Sequence, residues 1–511
     1  MTWIPFGNPR AGFPTYPRQT KGTRVRAPLL SVGIAVLLAA CTSSPPRRPS
    51  QSPAGPAASS PSPPGISISG PGVVSVRGPL RACPSAQGAV RDAEVEPSIA
   101  ADPARPDALI GAWQQDRDLR GGAAGIESAA STDGGRTWKE ALVPGLTKCS
   151  NGPYIRASDP WVSAGPGRAY LGTIGIRDDR TGAVLVSTTT DGGATWTEPA
   201  TVANGHARLI VDKESVLADR SDGSTAYVVW VDYAVTDPKV TPHVNAARFS
   251  RTGNGGRTWS TPGTLYSGNT ETQFHTLAQL SDGTLLDFFA EAKSLSGNPN
   301  PPLPARIAVV RSSDEGRTWS RPTSVARFTF ATLRTPSSHR AVRATTANIS
   351  AATGPDGTAF VAWADQVTAD RWQIRLVRSR DGGTTWEPRV TVAEPSGQAF
   401  LPTVAVAGDG RVGVTWYEDR SARSSPGEGV PTKVRLAWSG DDGATWHQLD
   451  LGGPPFDLDT ARLSSEGDFV GDYEGLAGLP SGFSALFVQA RPRSRAGPTD
   501  VFFARVDLAP E

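Results

Sequence analysis

The sequence predicts an all-β fold, a β-propeller of seven four-stranded blades with six blades as the alternative. Three observations predict it. An eight-residue turn signature recurs six times at a near-constant spacing. A strand–turn–strand lead-in precedes it each time. The composition joins turn formers to aromatic residues, with 55 Gly, 45 Pro and 14 Trp against a single Met. Regular recurrence of short strands and turns is the mark of a radial repeat fold.

The turn signature reads STDGGRTW from Ser131, TTDGGATW from Thr189, TGNGGRTW from Thr252, SSDEGRTW from Ser312, SRDGGTTW from Ser379 and SGDDGATW from Ser439. Its third position holds Asp133, Asp191, Asn254, Asp314, Asp381 and Asp441, at successive separations of 58, 63, 60, 67 and 60 residues. A carboxylate here accepts bonds from the N–H groups of its own turn. Glycine supplies backbone angles closed to other residues, and the Trp ring packs between neighbouring sheets. These acids are therefore read as structural. Asn254 supports that reading, because an amide makes the same turn but does not replace a catalytic carboxylate.

The lead-ins begin at residues such as Glu96, Lys213, Asn348, Leu401 and Tyr473, and their hairpin turns carry Asp-Gly or Gly-rich pairs. Counting them gives seven. The last, near Tyr473, is followed by a third strand from Thr499 but by no turn signature. A ring of this kind closes by borrowing a strand from the other terminus, and Val73–Gly78 is the expected donor.

The repeat resembles the Asp box, or BNR repeat, of the sialidase-like superfamily, from about residue 96 to the end. The resemblance implies a propeller with a glycan at the channel mouth, where a Tyr activated by a Glu attacks the sugar, an Asp serves as acid/base and three Arg hold a carboxylate. Carried onto this chain, it makes Tyr473, Glu474, Asp472, Asp159 and Glu214 candidate catalytic residues. Arg156, Arg343, Asp212, Lys213 and Glu96 become candidate substrate-binding residues. Successive strand residues point to opposite faces, so Asp472, Tyr473 and Glu474 do not all address one substrate. The chain also lacks the Arg-Ile-Pro motif that carries the first Arg in sialidases. Two functions follow: a sialidase-like glycoside hydrolase of the exo-alpha-sialidase type acting on surface glycans, or a non-catalytic propeller that binds glycan or protein.

The N-terminus reads as an address. Arg10, Arg18, Lys21, Arg24 and Arg26 precede an apolar run from Ala27 to Ala40. That run is too short to span a bilayer and fits an export signal. Leu38-Ala39-Ala40-Cys41 resembles a bacterial lipobox, which makes residues 1–40 a lipoprotein signal peptide and Cys41 the lipidated residue. Residues 41–70, rich in Pro, Ser and Ala, read as a tether, and 71–511 as the propeller. The expected location is the outer face of the cytoplasmic membrane, with Cys41 as the only membrane contact. Cys83 and Cys149 remain for one disulfide, in keeping with an oxidising compartment.

Charge narrows the partners. Lys plus Arg total 51 and Asp plus Glu 49, a net of +2, which leaves no basic stripe for nucleic acid. His206, His243, His275, His339 and His447 form no metal-ligand spacing, and no phosphate-cradling glycine loop is present. No metal or cofactor is expected, and the chain is read as a monomer.

Overall fold

The computed structural model describes residues 65–509, apart from 87, 179–180, 207–208, 235–242, 296–298, 300, 336–338, 396, 421–428 and 492–497. The signal peptide, Cys41 and most of the proposed tether lie outside the described residues. Among them, secondary structure is β-strand, with short 3₁₀ turns.

The strand pairings divide into seven four-stranded antiparallel units. Their first strands are Val95–Asp102, Arg156–Gly165, Leu209–Ala218, Glu271–Gln279, Ile349–Thr353, Gln398–Val406 and Gly475–Leu479. Each first strand lies against that of the next unit, and the seventh lies against the first. This closed cycle is a propeller, because only radial packing lets every innermost strand neighbour two others.

The seventh unit is completed from the N-terminal side. Ile66–Val73 pairs antiparallel with Thr499–Leu508, from Ile66 opposite Leu508 to Val73 opposite Phe502. This corrects the expected donor, Val73–Gly78. The reason lies in the side chains. Ile66 and Ile68 alternate with serines and reach the core, whereas Val73 and Val76 stay 52% and 59% exposed. The Val76 amide donates instead to Glu140 Oε1 of the first unit at 2.6 Å. The propeller thus begins at Ile66, inside the stretch assigned to the tether. Cys83 and Cys149 form the disulfide expected from the sequence, with Cα atoms 5.5 Å apart.

The turn signatures join the third and fourth strands of six units, and their bonding is local. In the first, Ser131 Oγ donates to Asp133 Oδ1 (2.8 Å), while Thr137 donates its amide to Oδ1 (2.9 Å) and its hydroxyl to Oδ2 (2.6 Å). These bonds, led by the Thr137 hydroxyl, hold the Asp133 carboxyl down at about 2. At Asn254 the Thr258 amide still donates to Oδ1 (3.0 Å), but Nδ2 now donates to the Thr258 hydroxyl (2.7 Å). One bond reverses its direction and the turn survives.

Each box also staples its unit to the previous one. Trp138 meets Phe503 edge to face at 5.1 Å, Trp319 meets Phe249 at 5.3 Å and Trp386 meets Phe288 at 5.8 Å. Trp196 Nε1 donates to Ser128 Oγ at 2.8 Å. Gly135 has φ +87° and lies so close to the Phe503 ring that a side chain would collide with it. The glycine therefore serves both the turn and the seam between units.

Candidate functional site

A repeated backbone irregularity builds the site. In five of the seven first strands the register slips near the start, between Val95 and Ser98, Ser158 and Trp161, Asp212 and Ser215, Gln273 and Thr276, and Phe400 and Thr403. The residue after the first of each pair has positive φ: Glu96 (55°), Asp159 (54°), Lys213 (56°), Phe274 (57°) and Leu401 (50°). A bulge bends the strand and re-aims its side chain. Non-glycine residues accept such angles at a cost, and these conformations concentrate at functional sites. Repeated around the ring, the bulge gathers polar side chains at one end of the channel.

Lys213 stands at the centre. Its ammonium lies 2.5 Å from Asp472 Oδ2 and 3.3 Å from Asp159 Oδ2, with the Phe274 ring centroid 5.5 Å away. Arg343 donates to Asp472 Oδ2 at 2.8 Å and approaches Glu466 at 3.3 Å. Asn348 Nδ2 donates to the Asp472 carbonyl at 2.7 Å. On the other side, Gln114 Nε2 donates to Glu96 and to Ser158 Oγ, and Ser158 Oγ donates to Asp159. Phe469 closes over this network, with Arg117 at 4.7 Å and Arg343 at 4.4 Å from its ring centroid.

The electrostatics separate neighbouring carboxyls. Burial, helped by Asp159 and Asp472, pushes Glu96 up to about 8. Burial also pulls Asp159 upward, but Lys213 and Ser158 outweigh it and hold the group below its ordinary range. Asp472 is buried too, and Arg343 and Lys213 keep it strongly ionised. Burial raises Glu214 well above the usual carboxylate range and takes Glu474 to about 8.

The structure thus brings together Glu96, Asp159, Asp212, Lys213, Glu214, Arg343, Asp472, Tyr473 and Glu474, all placed here by sequence reasoning. The partners of several expected site residues lie within the protein. The Tyr473 hydroxyl donates to the Pro160 carbonyl at 2.9 Å. Burial, with the surrounding acids led by Glu96, pushes its phenol well above 10. Glu474 lies by Thr415 and Tyr417 in the seam with the sixth unit, as strand alternation requires, and not at the Tyr473 hydroxyl. Arg156 is elsewhere, donating to the Gly121 carbonyl and 4.0 Å from Asp118, so it joins no carboxylate clamp with Arg343. Asp212 is buried, and burial raises its carboxyl.

Arg117, Gln114, Phe469, Trp161 and Phe274 escaped the sequence reading. Arg117, Gln114 and Phe469 sit on other segments, where no local pattern marks them. Trp161 and Phe274 had a signal, since they follow or occupy the bulge positions of two lead-ins. His275 binds Asp287 (2.6 Å) and Thr272 (3.0 Å) through its two ring nitrogens and stacks on Phe289.

Beneath the network lies a cavity of about 50 Å³, lined by Asp159, Trp161, Glu214, Phe274 and Tyr473 among others. Trp161 and Tyr473 meet edge to face at 5.1 Å.

Ring closure and box-stapled units together define an Asp-box β-propeller. Residues 242–456 match the family described as a BNR repeat-like domain. No curated protein matches the chain. Among solved structures it is similar to a Dyadobacter fermentans protein of unknown function (14% identity, TM-score 0.45, 87% of this chain and 100% of that one). It is also similar to a Hadza microbial sialidase (15%, 0.44, 78% and 76%). A third similar structure is a GH93 alpha-L-arabinofuranosidase of Fusarium graminearum in complex with arabinobiose (12%, 0.42, 81% and 94%).

Proposed function

We propose that this propeller binds glycans outside the cytoplasm and does not hydrolyse them through a tyrosine nucleophile. One observation carries the reading: the Tyr473 hydroxyl donates a hydrogen bond to the Pro160 carbonyl while its ring, with Trp161 and Phe274, walls a cavity that also presents carboxyl groups. A sugar offers apolar C–H faces and a rim of hydroxyl donors. Aromatic faces beside a few placed acceptors match that surface. A nucleophilic phenol needs a base at its hydroxyl, and here the hydroxyl bonds a backbone carbonyl.

The experiment is a paired assay of the purified full chain, with binding to a glycan array and turnover of fluorogenic sialosides, arabinofuranosides and other glycosides. The expected result is binding without turnover. Turnover abolished by Glu96→Gln would install the second reading, a hydrolase. One feature favours that alternative: Glu96, raised to about 8, neighbours Asp159, held low, and carboxyls driven apart in this way mark an acid and its partner.

We further propose that lipid on Cys41 holds the protein at the membrane surface, with the residues before Ile66 as the tether. The lipobox resemblance supports this reading, and a disulfide between Cys83 and Cys149 suits an exported protein. Cys41→Ser should move the protein from the membrane to the soluble fraction; unchanged retention would count against the anchor.

A further inference from the structure

The ring at the channel end holds more acids than bases. Glu96, Asp159, Asp212, Glu214, Asp472 and Glu474 are all buried there, against three buried cations, Arg117, Lys213 and Arg343. The cations are engaged from within. Lys213 bridges Asp159 and Asp472, Arg343 holds Asp472 and Glu466, and Arg117 donates to Gln114 Oε1. An incoming carboxylate would therefore meet cations already committed to groups of the protein.

Glu214 and Glu474 are 4% and 3% exposed and both line the cavity, but Glu474 lies by Thr415 and Tyr417, whereas among the described residues neither carboxyl oxygen of Glu214 meets a hydrogen-bond partner from another residue. Gly172 on the adjacent unit lies beside it, within ordinary contact of Glu214 Cγ. Buried polar groups are nearly always paired, so a lone carboxyl facing a cavity calls for a donor from outside. The wall already shows how a primary ammonium is held here: Lys213 sits on two carboxylates with the Phe274 ring at 5.5 Å, an arrangement in which the ring quadrupole also attracts the cation. The cavity, about 50 Å³, admits one or two water-sized groups. It therefore takes the end of a ligand and not a whole ring. Among the described residues no acid or histidine cluster is arranged to hold a metal ion.

We propose that this cavity is a terminal-group pocket for an amine-bearing sugar, its ammonium on Glu214 against the Trp161, Tyr473 and Phe274 wall, and that it discriminates against acidic sugars. The inference rests on the glycan-binding reading above and names the class of glycan.

The test is calorimetry of the full chain with D-glucosamine, N-acetyl-D-glucosamine, D-glucose and N-acetylneuraminic acid. Glucosamine should bind most tightly, by roughly tenfold over its N-acetyl form, the discrimination that about 1.4 kcal/mol of added contact supplies. In Glu214→Gln, checked for an unchanged melting temperature, that preference should vanish. Equal affinity for glucosamine and glucose, tightest binding of the neuraminic acid, or a preference undiminished in Glu214→Gln would each overturn the inference while leaving glycan binding intact. No binding by any of the four would overturn both. Should Glu214→Gln fail to fold, the wild-type ranking alone decides.

Discussion

The Asp-box turns and the channel ring use the same chemical group in opposite environments. In the boxes the carboxylate is exposed, and its partners lie within four residues: Asp314 is bonded by Ser312 and Thr318 as Asp133 is by Ser131 and Thr137. In the ring the carboxyl is buried, and its partners come from distant units; Lys213 reaches Asp472 across 259 positions. Local bonding lowers the box acids to about 2, with the threonine hydroxyl as the leading cause at Asp133 and Asp314. Burial raises Glu96 and Glu474 to about 8. The contrast teaches that a carboxylate's role follows from who can reach it. A short motif satisfies an acid anywhere on a surface, whereas a buried acid depends on the whole ring being assembled.

The sharpest way to break the comparison is at Lys213. Lys213→Met keeps the bulk and removes the ammonium, leaving Asp159 and Asp472 buried with one cation fewer. Removing one partner of a buried pair costs about 3–5 kcal/mol, which a urea unfolding midpoint will read. A loss below about 1 kcal/mol, the size of an exposed pair, would show that the ring is wet and open.

Next in size is the pH profile, where the two regions pull in opposite directions. The box acids have folded values below their ordinary 3.8. Their contribution is present above that value and is lost as pH falls through about 2. In the ring, Glu96 and Glu474 have folded values raised from 4.5 to about 8. The folded state keeps protons that the unfolded chain has released, so stability declines as pH rises from 4.5 toward 8 and levels above it. The melting temperature should therefore peak near about pH 4, between the two windows. A maximum at neutral pH would mean that the ring acids are ionised in the folded protein.

The smallest expected effect sharpens the other side. Asn254→Asp converts the odd box to the common form. Since the turn bonds through its oxygen are already made, stability should change by no more than about 0.5 kcal/mol, the range of surface substitutions that disturb no special feature. A large change in thermal unfolding would show that the asparagine has a role beyond the turn.

Legibility divided along the same line. The boxes, their period, the lead-in hairpins and the ring-closing principle were all readable, because each is encoded within a dozen residues. The donor strand was misplaced by several positions: Val73–Gly78 carries the stronger valine signal, but Ile66 and Ile68 have the alternation that one buried face demands. Among site residues, Glu96, Asp159, Lys213 and Tyr473 were found because every lead-in starts at the channel end. Arg117 and Phe469 were not, because neither belongs to a lead-in.

What the sequence determined by itself was the repeated unit and the set of side chains that each unit brings to the channel. Turn chemistry and strand alternation act over short range and need no knowledge of the rest of the chain. What only the tertiary structure decided was the state of those side chains. The Pro160 carbonyl accepts the Tyr473 hydroxyl, Phe469 lies over Arg117 and Arg343, Arg156 falls outside the ring and, among the described residues, Glu214 meets no hydrogen-bond partner from another residue. Each of these depends on residues tens to hundreds of positions apart meeting at one end of a channel, where burial sets the energy of every charge.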